Sequence, residues 1–137
     1  MPWKDPIQRR RTTAAIAAVL LVALVHIVRV GSYLKGMLFN LYYSFTSDIL
    51  LPFAAYFLLV LNEINGAFFL RSGWVKAGLV TCVAVSAEIL QAFGVAALGV
   101  TFDPLDLVMY PIGALAALLL DRTLIRRSRA AGETSRT

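Results

Sequence analysis

The chain has 137 residues, of which 59% are hydrophobic and only 15% are charged, and its mean hydropathy is +0.75. Soluble domains carry roughly 25% charged residues, so this composition excludes an ordinary water-soluble domain and indicates a membrane protein with the lipid bilayer as its surroundings. The net charge of +5 does not make it a nucleic-acid binder, because the basic residues flank the apolar stretches.

In chain order, four apolar stretches stand out, at residues 13–30, 46–61, 74–93 and 104–120. A membrane span needs roughly 17–25 residues at a rise of about 1.5 Å each. The first, third and fourth stretches meet that length directly. The second is the weakest, since its strictly apolar core at 49–61 must draw in residues 46–48 or tilt in order to cross. The run before it, 33–45, is rich in aromatics and contains Asn40, which suits an interfacial segment better than a fifth span. The expected fold class is therefore all-α. Residues 13–120 form one integral membrane bundle of four transmembrane helices, between a basic N-terminus at 1–12 and a basic tail at 121–137 that is expected to be disordered.

Charge sets the orientation of this bundle. Lys4, Arg9, Arg10 and Arg11 precede the first span, and Arg122, Arg126, Arg127 and Arg129 follow the last, which is the positive-inside pattern. Four spans then put both termini in the cytoplasm and the protein in the cell membrane, with Arg71 and Lys76 on the inner side. The connection at 94–103 has no Lys or Arg and falls outside; Arg29 and Lys35 are the modest exception in the first outer loop. The first span follows a basic region as a signal peptide would, yet it is long and lacks a small-residue cleavage site, so it is expected to stay as an anchor. Cys82 is the single cysteine, which precludes an intramolecular disulfide and indicates no thiol metal site; packing within the third span is its expected role.

The polar groups of the spans gather at the outer level. The first span carries His26 and Arg29 near its outer end, the second begins at Asp48, the third ends shortly after Glu88 and Gln91, and the fourth begins at Asp103. Glu88 and Gln91 are three apart and share a helix face. Asp103, Asp106, Tyr110 and Gly113 follow at steps of three, four and three, so a second polar stripe can face the first across a tight outer hairpin. Carboxylates near hydrocarbon are costly, so this cluster calls for a structural or a functional reason.

The pattern Glu88-x-x-Gln91 followed by Thr101-Phe102-Asp103-Pro104-Leu105-Asp106, Tyr110 and Gly113 resembles the VanZ-like family of small multi-pass bacterial membrane proteins. It is equally similar to an uncharacterised small integral-membrane family with the form Phe-Asp-x-x-Asp-x-x-x-Tyr-x-x-Gly. Asp48, Pro52 and Tyr56 fall at the spacing with which VanZ-like proteins open their second span, but Pro52 and Ile49 stand where His and Lys are usual. Tyr110 stands where Asn is common, and no Arg lies between Glu88 and Asp106. The resemblance covers residues 46–120. It implies a bacterial cell-envelope protein, linked in some members to glycopeptide antibiotic resistance.

Each polar residue also has a purely structural reading. Asp103, Pro104 and Asp106 match a helix start, with Asp as N-cap, Pro at the first position and an acid favoured by the macrodipole. Glu88 has no such excuse, because it lies inside a helix and needs a partner: Arg29, His26 or Gln91 on the structural reading, a ligand on the functional one. Gly113 and Ala117 form a small-x-x-x-small pair suited to close helix packing. Two functions follow. The preferred one is non-enzymatic: an envelope protein that binds a lipid or cell-wall precursor, or a partner, through Glu88, Gln91, Asp103, Asp106, Tyr110 and Asp48, supported by Tyr56, Gly113, Arg29 and His26, and needing no cofactor. The alternative is an intramembrane enzyme or small transporter that uses the acids to hold a divalent cation such as Mg²⁺ and, through it, a phosphate-bearing lipid. No nucleophile–base pair or phosphate loop supports catalysis, and four helices without an internal repeat would have to form a homodimer for transport.

Overall fold

The structure, a computed structural model, describes residues 6–42, 46–64, 67–95 and 102–134. Lys4 and Thr101, named above, lie outside these residues, as do 135–137. The described residues are helical, in the order α1 (Pro6–Ile27), α2 (Met37–Leu41), α3 (Ser47–Ile64), α4 (Gly73–Ala92) and α5 (Asp106–Thr134), with 3₁₀ turns at Val30–Tyr33 and Phe68–Arg71.

Helix α1 is 22 residues long, about 33 Å at 1.5 Å per residue. Its two threonines at the basic end are accommodated within the helix, Thr12 and Thr13 donating to the carbonyls of Gln8 and Arg9. After Ile27 the chain turns through Arg29, which has a φ of 52°, a left-handed conformation, and Ser32 returns two hydrogen bonds to its carbonyl. Gly36, at φ 60°, opens α2, a conformation for which glycine carries no steric penalty. Met37 and Leu38 of this short helix are exposed. It lies in the stretch that composition assigns to the interface.

Three helices, α1, α4 and α5, are long and apolar enough to cross a membrane. Helix α3 has 18 residues, about 27 Å, slightly less than a hydrocarbon core of about 30 Å. Helix α5 runs for 29 residues, well past the end of the apolar stretch. The expected disordered tail is thus helical at 128–134. Residues 121–131 contain no Pro or Gly, and Arg, Ala and Leu are strong helix formers, so nothing stops the helix where the apolar pattern ends.

Helices α3 and α5 pack along each other, with α1 against both on one side and α4 against both on the other. The core between them is built from Tyr56, Phe57 and Val60 of α3 with Ala114, Ala117 and Leu118 of α5. Small residues allow this approach: at Gly113, which is buried, a Cβ would collide with the Ile49 carbonyl oxygen of α3 and lie 3.0 Å from the carbonyl carbon. Close backbone contact is the way helices associate where lipid tails offer no hydrophobic drive. Only 17% of the apolar window of α1 and 33% of those of α4 and α5 is buried within the bundle. Leu20, Leu21, Val83 and Leu119 face outward, an apolar surface suited to hydrocarbon and not to water. Cys82 shares that outward face, so the expected packing role within the bundle does not hold for it.

Candidate functional site

The end of the bundle at which α3 and α5 begin, which the charge pattern assigns to the outside, is organised around Glu88. Its side chain is only 2% exposed, because α4 presents it to the start of α5. One carboxylate oxygen accepts from the Tyr110 hydroxyl at 2.8 Å, and the other from the Asp103 backbone amide at 3.4 Å. The steps of three and four along α5 that put Asp103, Asp106 and Tyr110 on one face thus bring that face to α4. Gln91, one turn beyond Glu88, is also buried.

Asp103 closes the turn ahead of α5 and does not cap a helix that begins at Pro104, since α5 starts at Asp106. Its carboxylate accepts from the Leu105 amide at 2.9 Å, and its carbonyl accepts from the Asp106 amide at 3.1 Å, so the turn at Pro104 and Leu105 leads into α5. Asp106 begins the helix, half-buried, and Asp48, also half-buried, lies in the first turn of α3. Asp48, Glu88, Asp103 and Asp106 are close enough to act on one another electrostatically. Gly113 holds α5 against α3 at this level, two turns below Asp106. Removing the Tyr110 hydroxyl (Tyr110→Phe) leaves the buried Glu88 with its longer bond alone; the expected loss is about 1–3 kcal/mol of stability, read as a lower unfolding temperature in detergent.

Three further sequence expectations for this site are corrected. His26 and Arg29 make no hydrogen bond or ion pair with the outer acids among the described residues. His26 Nδ1 bonds to the Val22 carbonyl of its own helix at 2.8 Å, and Arg29 is exposed where α1 ends. The cause is the packing order: α1 lies across α3 and α5 from α4, so its outer end does not reach Glu88. Tyr56, matched to Asp48 by spacing, lies eight residues further along α3, about 12 Å at 1.5 Å per residue. Its hydroxyl donates to Asp121 at 3.1 Å, at the other end of the bundle.

That other end holds an ionic network. Arg11 of α1 gives two hydrogen bonds to Asp121 of α5, at 2.8 and 2.9 Å, and two to Glu63 of α3, at 3.3 and 3.0 Å. Lys76 of α4, fully buried, donates to Glu63 at 2.6 Å and to the Leu70 carbonyl at 2.8 Å, with its ammonium 5.6 Å from the Tyr56 ring centroid. Two cations meet two carboxylates, and one residue from each long helix takes part. The sequence carries a weak signal for this network, since Glu63 and Asp121 are the acids at the ends of two apolar stretches where the other flanking charges are basic, but spacing along the chain does not pair them with Arg11 and Lys76.

The two ends differ in charge balance. Every charged group of the inner network has a partner of opposite sign, whereas among the described residues none of the four outer acids pairs with a Lys, Arg or His. No group of three or more His, Cys, Asp or Glu side chains among the described residues is arranged to hold a metal ion. Comparison with protein-family models, with curated proteins and with solved structures finds no match to the chain.

Proposed function

We propose that the chain is a VanZ-like, four-span protein of the bacterial cell membrane, with both termini in the cytoplasm. Its outer acids would bind a lipid or a cell-wall precursor through that ligand's cationic or hydrogen-bond-donating groups. The packing of α3 favours four spans: it touches α1, α4 and α5, so a membrane crossed by those three contains α3 as well. The surplus of Arg at the Arg11–Asp121 end favours that end as the inner one.

The observation that carries the functional reading is the contrast between the two ends. Inside, this protein neutralises its buried charges pair by pair. Outside, it brings Asp48, Glu88, Asp103 and Asp106 together without a cation among the described residues, an arrangement that costs stability unless something else compensates it. Hydrogen bonds from Tyr110 and the Asp103 amide to Glu88, and from the Leu105 amide to Asp103, offset part of that cost without supplying a cation. Among the described residues no group of three or more His, Cys, Asp or Glu is arranged to hold a metal ion.

The test is glycopeptide susceptibility of a sensitive Gram-positive host expressing the protein, beside Glu88→Gln and Asp106→Asn variants of equal membrane abundance. Both substitutions keep the side-chain shape and an acceptor oxygen while removing charge. The expected outcome is protection by the unaltered chain that both variants lose. Protection that survives in both variants would take the acids out of the function, and no protection from a well-expressed chain would remove the antibiotic link.

A further inference from the structure

We propose that the inner rim of the bundle carries a binding site for an anionic phospholipid headgroup, built on Arg122 held over the Trp74 ring. The Arg122 guanidinium carbon lies 4.8 Å from the centroid of the Trp74 ring. Trp74 is 59% exposed at the start of α4, and Arg122 is exposed on α5, one residue beyond the network carboxylate Asp121. A guanidinium held over a ring by cation–π attraction keeps N–H donors for a bidentate acceptor such as a phosphate. Among the described residues those donors have no carboxylate partner.

The reason is a shortage of acids at this end. The two carboxylates that the described side chains place here, Glu63 and Asp121, are already taken by Arg11 and Lys76. Arg9, Arg10, Arg71, Arg122 and Arg126 are also exposed at this end, so positive charge is in surplus around the rim. Trp74 and Phe69, the latter 71% exposed, supply the aromatic contact that anchors at a membrane interface. An interfacial tryptophan with an arginine over its ring and further arginines around it matches a lipid phosphate on a negatively charged leaflet better than it matches a soluble anion. The inference depends on the bundle being embedded in lipid and is independent of the outer-site reading.

The experiment uses the full chain with Trp3→Phe, which leaves Trp74 as the sole tryptophan, reconstituted in phosphatidylcholine vesicles. A small fraction of acyl-brominated phosphatidylglycerol or acyl-brominated phosphatidylcholine is added, and Trp74 fluorescence quenching is compared. The expected result is quenching by the anionic lipid that corresponds to about fivefold enrichment over its mole fraction, falling toward parity in Arg122→Gln. Arg122 is exposed and outside the ionic network, so that variant should fold. Equal quenching by the two lipids overturns the proposal. So does an enrichment unchanged in Arg122→Gln, which would assign it to the general basic charge. Loss of enrichment on adding inorganic phosphate, but not chloride of equal ionic strength, would assign the site to a free anion and also overturn it.

Discussion

Replacing Arg11 by Met should lower the stability of the folded bundle by about 3–5 kcal/mol, the range found when one partner of a buried ion pair is removed. The size follows from what is stranded. Asp121, whose side chain is only 4% exposed, keeps one hydrogen bond from Tyr56 in place of three, and Glu63 is left with Lys76. Adding Asp121→Asn to the Arg11→Met chain removes the stranded charge and should recover a measurable part of the loss, so the double variant is more stable than the single one. Arg11→Lys should fall between, because an ammonium cannot give two bonds to each of two carboxylates as the planar guanidinium does. Thermal or denaturant unfolding in one detergent measures all three. Arg9 and Arg10 remain in every variant, which preserves the basic flank that orients the first span. An Arg11→Met chain as stable as the parent would mean that the network contributes nothing net, and the absence of any recovery in the double variant would mean that the loss is not electrostatic.

The second large effect is expected at Gly113. A valine there places its Cβ and both methyl groups into the Ile49 backbone, and a carbonyl cannot rotate away as a side chain can. Helices α3 and α5 must separate, at a cost of roughly 1–3 kcal/mol or more by analogy with overpacked cores. The same displacement draws Asp48 away from Asp106, so Gly113→Val should also abolish the protection assay signal if the outer acids act together. Gly78→Ala is the matched control. A Cβ at Gly78 meets nothing within 4 Å, and alanine is preferred over glycine within a helix by about 0.5–1 kcal/mol, so this variant should be neutral or slightly stabilised. If both substitutions gave the same small change in unfolding temperature, the close approach of α3 to α5 would not be a determinant of the fold.

Composition and hydropathy determined the setting of this protein. A chain with so few charges has no way to cover itself with polar surface, and the apolar stretches locate α1, α4 and α5, α4 to within a residue. Helix α1 starts seven residues earlier and α5 runs fourteen residues further than the apolar pattern, and α3 is the marginal one. The turn at Asp103 ahead of α5 was legible because the bond between its carboxylate and an amide two residues away is a local interaction. The steps linking Asp103, Asp106 and Tyr110 were legible because helical periodicity is local too. The pairing of charges was not legible in this way. Which carboxylate meets which cation depends on the order in which helices pack, and that order is decided by side-chain volume across the whole interface: Gly113 and Ala117 let α5 lie against α3, and this places α1 and α4 on opposite sides. His26 and Arg29 were thereby removed from the outer acids, leaving Tyr110 as the partner of Glu88. The same packing turned Arg11 and Lys76 from flanking charges into the buried centre of a four-helix network, and only the tertiary structure could decide this, since the energy of an ion pair depends on a distance that no spacing along one chain segment sets.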